Sequence, residues 1–204
     1  GAYECRIGFG LPAIGGKVSM SGAFNEMHVP PTLVSFAVDV AKQQDIVTSE
    51  LKNPGDKLVV FKIQKNEYDL PVYEQLMDAY GKITKLVNEG ILKATYTIGF
   101  GGLAEAVSKM AFGNKLGVTL ENSLDAAELF KPYYGEIVAE VAPEDIDKLT
   151  AEYALCGTVT EIPEFIYKDM KVSMEEAIGA WTKPLESVFP TRSGVEEKNI
   201  NTGL

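Results

Sequence analysis

A chain of 204 residues, 46% apolar and 24% charged, has the composition of an ordinary globular protein that is long enough to bury a core. With 19 basic and 29 acidic residues the net charge is −10, and no basic patch stands out, which argues against a nucleic-acid partner. No apolar run approaches the roughly 20 residues of a membrane span, and Gly1-Ala2-Tyr3-Glu4-Cys5-Arg6 has no apolar leader core, so a cytoplasmic protein with reduced Cys5 and Cys156 is expected.

Residues 2–8 read as the last turns of a helix and Leu11–Ile14 as a short strand. The glycine-rich turn Gly15-Gly16-Lys17-Val18-Ser19-Met20-Ser21-Gly22 follows. Its Lys17, Ser19 and Ser21 can meet phosphate oxygens, although the GxxxxGK[ST] spacing of a Walker A loop is absent. An ordinary surface loop is the alternative reading. Pro30-Pro31 marks a boundary, and the β-branched and aromatic residues of Thr32–Val40 predict a strand.

After the turn Asn53-Pro54-Gly55-Asp56, the nearly continuous apolar run Lys57–Ile63 predicts a strand covered on both faces. Pro71 suits the start of a helix carrying Val72, Leu76, Tyr80, Ile83 and Val87 on one face, ended by Gly90. Ile91–Thr97 predicts the next strand.

The chain's most informative stretch comes here. Gly99, Gly101 and Gly102 make a tight turn into a helix with Leu103, Val107 and Met110 on one side. The first turn of that helix offers unpaired N–H groups to an anion, so Gly101 and Gly102 are candidate phosphate-binding residues; close strand-to-helix packing is the alternative. Glu105 could reach a metal-bound phosphate or pair with Lys109 at i, i+4, and the pair is the expected role.

Gly113-Asn114 closes that helix, and Leu116–Leu120 is a short strand. Ser123 is placed to cap a short helix over residues 125–130. Gly135–Val141 predicts a strand, and Pro143-Glu144-Asp145 opens a helix through Tyr153. Gly157–Tyr167 is strand-like but broken by Pro163. Ser173-Met174-Glu175-Glu176 is a capping box for a last helix to about Trp181, after which Pro184 and Pro190 loosen the chain. Strands and helices thus alternate, which predicts a layered α/β domain.

Some chemistry is missing. His28 is the sole histidine and sits beside Pro30-Pro31, so a Ser-His-Asp or Cys-His device is not expected. Two cysteines and one histidine, widely spread, do not make a zinc site. Glu144-Asp145-Asp147 and Glu196-Glu197 read as solvated faces.

Two segments carry a resemblance. Gly15–Asn25 resembles the GGKDSMSGTFN signature of phosphoribosylformylglycinamidine synthase, and Val29-Pro30-Pro31-Thr32-Leu33-Val34-Ser35-Phe36-Ala37-Val38 resembles that family's VPPTLISFAV. The glycine turn at Gly99–Gly102 takes the place of its DGGL motif. The resemblance implies a layered α/β/α domain with a mixed sheet, like the C-terminal domain of aminoimidazole ribonucleotide synthetase. Residues 1–30 would be an incomplete tail of the preceding domain, 31–183 the α/β domain, and 184–204 a linker toward a glutaminase domain. The chain, which opens inside a helix and ends in a polar tail, is expected to be an excised piece.

The implied reaction is the ATP-dependent conversion of formylglycinamide ribonucleotide to its amidine with ammonia from glutamine. Gly15, Gly16, Lys17, Ser19, Ser21, Gly101 and Gly102 would then bind nucleotide or phosphate. ATP and Mg²⁺ are the implied cofactors of the parent enzyme. Here Val18 and Phe100 replace the family's aspartates, so no metal ligand is assigned beyond the weak candidate Glu105. The expected partners are the remaining domains of the parent enzyme, together with a second copy of the chain covering exposed apolar surface. The piece alone is expected to be inactive. The alternatives are a scaffold domain that keeps the fold without nucleotide, and a free-standing small-molecule kinase, for which the acidic metal ligands are lacking.

Overall fold

The computed structural model describes residues 2–13, 22–30 and 36–190. Helix α1 (Ala2–Phe9) is followed by an exposed hairpin of β1 (Gly22–Phe24) and β2 (Met27–Val29). The main body comprises β3 (Lys57–Phe61), α2 (Tyr73–Asn88), β4 (Leu92–Thr97), α3 (Gly102–Asn114), β5 (Gly117–Leu120), β6 (Ile137–Val141), β7 (Tyr153–Thr160), β8 (Glu164–Tyr167), β9 (Met170–Ser173) and α4 (Met174–Glu186). Its seven strands run in the order β4-β6-β3-β7-β5-β8-β9. All neighbours are antiparallel except β5 and β8, which makes the sheet mixed.

The apolar run of β3 shows why the domain is layered. Leu58 and Val60 point into one buried cluster with Leu103, Val107 and Met110 of α3 and Met174 of α4. Val59 and Phe61 point the other way, to Ile83 and Leu86 of α2. Alternate side chains therefore need cover on both faces, and the helices supply it. In β4, Leu92 and Ala94 are two apart yet belong to opposite clusters. A register shift between them leaves Lys93 as the extra residue and reverses the facing.

Local signals hold where caps or periodicity support them. Ser173 Oγ accepts from the Glu176 amide at 3.2 Å and caps α4. The break at Pro163 separates β7 from β8, and the Pro163 carbonyl accepts from the Met174 amide at 2.9 Å.

Other expectations need correction. Leu11–Ala13 and Phe36–Val40 are exposed and not in strands, while Ile14 and Thr32–Ser35 lie outside the described residues. β-branched composition makes a strand only where a partner and a face to bury exist. Residues 125–130 form only a 3₁₀ turn, Glu128–Phe130, and Asp125 Oδ1, not Ser123, accepts from the nearby Ala127 amide at 3.0 Å. The helix from Pro143 stops at Lys148 as a 3₁₀ turn, because Tyr153 is claimed by pairing with Phe61. Helix α4 runs through Pro184 to Glu186, past the end expected near Trp181.

Candidate functional site

The glycine turn joins β4 to α3. The Ile98 amide donates to the Glu136 carbonyl at 3.0 Å, and the Gly102 amide turns back to the Gly99 carbonyl at 3.2 Å. Gly102 has φ +71°, and a Cβ there would lie 2.5 Å from the Leu129 carbonyl oxygen and 2.8 Å from Phe130 Cα. Only glycine permits both the left-handed backbone and this approach. The turn thereby presses α3 against the 3₁₀ turn at Glu128–Phe130.

The expected i, i+4 pair is present: Lys109 Nζ donates to Glu105 Oε1 at 2.6 Å. The other carboxylate oxygen of Glu105 accepts from the Gly101 amide at 2.6 Å. Lys109 and then that amide hold the Glu105 carboxyl below its usual range, and the Lys109 ammonium is raised in return. Both amides assigned to an anion are thus engaged within the turn. An incoming phosphate competes with Glu105 for Gly101. Phe100, where the family motif has aspartate, is 84% exposed. Gly15, Gly16, Lys17, Val18, Ser19 and Ser21 lie outside the described residues. His28 sits exposed on β2. Among the described residues, no group of three His, Cys, Asp or Glu is placed to hold a metal ion.

Beside the turn lies a cavity of about 350 Å³ that sequence reasoning missed. Val60, Ile98, Leu103 and Leu129 give it an apolar floor, and Lys62, Asp125, Glu128, Tyr133 and Glu136 bring polar groups to it. Lys62 Nζ donates to Glu136 Oε2 at 2.9 Å. Glu136 is 4% exposed, and burial raises its carboxyl pKa against the opposing pull of Lys62. The Tyr133 hydroxyl and Lys131 Nζ both donate to Glu128. Lys62 Nζ and Lys65 Nζ each stand 5.2 Å from the centre of the Tyr133 ring, within cation–π reach. The Tyr133 phenol is raised by its bond to Glu128 and by desolvation.

A second buried carboxylate belongs to Glu140 of β6. It accepts from the Lys52 amide at 2.8 Å and the Asn53 amide at 2.8 Å. Burial, with Asp56 alongside, pushes its carboxyl up to about 7, although the two amides oppose this. The sequence held a cue, a lone glutamate inside the apolar strand Ile137-Val138-Ala139-Glu140-Val141. In a strand covered on both faces, such a residue must find buried partners.

The mixed sheet, with helices on both faces and a glycine turn opening α3, is an aminoimidazole ribonucleotide synthetase-like fold. A structure of PurLQS from Thermotoga maritima superposes with TM-score 0.57 at 16% identity, covering 67% of this chain and 28% of that one. The T. maritima PurL has also been solved in complex with ATP and with FGAR.

In sequence, the chain is 25% identical to the phosphoribosylformylglycinamidine synthase subunit PurL of Pelagibacter ubique over 215 aligned positions, covering 88% of this chain and 30% of the relative. It is 28% identical to the corresponding subunit of Helicobacter hepaticus over 171 positions, covering 72% and 22%. No family model matches. The chain is similar to part of these PurL subunits and spans under a third of those relatives' length.

Proposed function

We propose that this chain serves as the C-terminal α/β domain of a synthetase-like half of phosphoribosylformylglycinamidine synthase, a cytoplasmic ATP-dependent ligase of purine biosynthesis. The observation that carries this reading is that the chain aligns with PurL subunits over most of its length and shares the fold of a solved PurL. The domain limits that fit it are 1–30 for the tail of a preceding domain, 31–183 for the α/β domain and 184–204 for a linker toward a glutaminase domain. The partners that fit are the remaining domains of the enzyme and a second copy of the chain.

ATP is proposed as the ligand because relatives of this fold take it. Lys17, Ser19 and Ser21, with Gly15 and Gly16, would face its phosphates from one turn, and Gly101 and Gly102 from the other. Their role is to bind and orient the phosphates. The α3 dipole favours an anion at its start, but Glu105 already holds the Gly101 amide. Mg²⁺ does not fit the described residues. Phe100 offers no ligand, and the one carboxylate of the turn is committed to an amide and an ammonium. We therefore assign this chain no chemical step.

ATP binding by the chain should be no tighter than about millimolar, roughly −4 kcal/mol. Titration calorimetry with and without Mg²⁺ checks this, and micromolar, Mg²⁺-dependent binding would overturn it. Val18→Asp should add Mg²⁺-dependent affinity. The complete reading frame should restore purine-independent growth to cells lacking the synthase, whereas the 204 residues alone should not. Failure of the complete frame would exclude the ligase assignment. A second reading, a scaffold domain without nucleotide, is favoured by one observation: Glu105 occupies the amide a phosphate would need.

A further inference from the structure

The cavity beside the glycine turn has features that no phosphate site at the turn requires. Its volume of about 350 Å³ is in the range of small-molecule sites, and an apolar floor with a few converging polar groups is their usual make-up. The back wall is rigid, since Gly102 packs directly on Leu129 and Phe130. The strand side is rigid as well: the Ile98 amide bonds the Glu136 carbonyl, and the Tyr80 hydroxyl bonds the Gly135 carbonyl at 2.9 Å.

The balance of charge then decides the ligand. Among the lining residues Lys62 is the one cation, and its ammonium lies on Glu136. From the rim Lys131 answers Glu128, and Lys65 pairs with Asp69 at 3.1 Å. Asp125 completes a lining with three carboxylates and one ammonium. A carboxylate has about four lone-pair sites, so Glu136 keeps acceptor capacity beyond its bond to Lys62. The surroundings offer acceptors and reject additional negative charge.

We propose that this cavity binds a small uncharged or singly cationic molecule that carries N–H or O–H donors on a flat apolar body, a heterocyclic amine of nucleoside size, and excludes its phosphorylated forms. The floor of Val60, Ile98, Leu103 and Leu129 covers the flat body, and Glu136 and Asp125 receive the donors. Burial that holds the Glu136 carboxyl above its usual range strengthens its preference for a donor.

The test is a titration of the full chain with adenosine, AMP and inorganic phosphate, followed by amide NMR at Ile98, Leu129 and Glu136. Adenosine should give saturable shifts below about 10 mM, AMP should bind more weakly, and phosphate should leave these amides unmoved. In Glu136→Gln, adenosine should weaken by about tenfold and the preference over AMP should shrink or reverse, because Lys62 is left uncompensated. Ser123→Trp, at the cavity edge, should block adenosine without touching the buried pair. No saturable shift from adenosine, or tighter binding of AMP or phosphate at these amides, overturns the proposal. Lys109→Ala, which acts at the glycine turn, should leave adenosine binding unchanged, so this result is separate from any failure of ATP binding there.

Discussion

Glu136, just before β6, and Glu140, within it, stand four residues apart, 4% and 0% exposed, and they are satisfied in opposite ways. Glu136 receives a single ammonium, from Lys62, whose side chain is 39% exposed. Glu140 receives backbone amides from Lys52 and Asn53, with Asp56 beside it. Asp56 is in turn held by Lys93 Nζ at 2.7 Å and Asn53 Nδ2 at 3.2 Å. A cation on a flexible stem can swing into water and leave its carboxylate to another donor. Amides leave only if the loop itself moves. The difference separates an exchangeable partner, suited to a cavity that admits a ligand, from a structural pin that ties residues 52–56 to the sheet.

The largest expected effect tests the pin. Glu140→Ala leaves the Lys52 and Asn53 amides without their carboxylate acceptor and opens a void at a fully buried position, and unfolding in urea should show a loss of about 3 kcal/mol. Glu140→Gln keeps one acceptor oxygen and should cost about 1 kcal/mol. A loss below about 1 kcal/mol for the alanine variant would mean that water reaches these amides, and the contrast with Glu136 would collapse.

A pH series sharpens the same contrast. The Glu140 carboxyl is raised in the folded state to about 7, above its ordinary value of 4.5. The folded chain therefore holds this proton more tightly than the unfolded one. That contribution to stability is fully present below the unfolded value and is lost as pH rises through about 7. Stability should fall by about 1–3 kcal/mol between roughly pH 5 and pH 8, and most of the slope should vanish in Glu140→Gln. A profile that is flat or rises over this window would place the proton elsewhere.

These buried groups also mark the limit of what the sequence makes legible. The apolar run of β3, the 3.6-residue period of α2, the glycine turn into α3 and the cap at Ser173 are local patterns, and each folds as read. The layered α/β/α order with a mixed sheet was legible from them together with the resemblance. Of the strand expected at Thr32–Val40, the described part Phe36–Val40 forms none, because propensity says nothing about whether a neighbour strand will arrive. The cavity failed for a similar reason. Lys62 and Glu136 are 74 residues apart, and Glu140 lies 87 and 88 residues from its amide donors. Such pairings follow from the register of β3 on β6 and the course of the loop before β3, not from any short motif.

The smallest expected effect concerns the exchangeable partner. Glu136→Gln removes a buried charge together with its desolvation cost, while the amide oxygen can still accept from Lys62. These changes oppose one another, so unfolding free energy should move by less than about 1 kcal/mol. Lys62→Met removes the larger of the two lysine influences that lower the Glu136 carboxyl, leaving Lys65, so that carboxyl should titrate still higher, which a carboxylate-detected NMR titration reads directly. The coupling between the two substitutions in a double-mutant cycle should also stay below about 1 kcal/mol, because the ammonium has an exposed alternative. A coupling of about 2 kcal/mol or more would show that Lys62 is held as firmly as the amides around Glu140. The cavity would then be a closed structural pair with no acceptor to spare, and the distinction between the two glutamates would be one of chemistry alone, not of access.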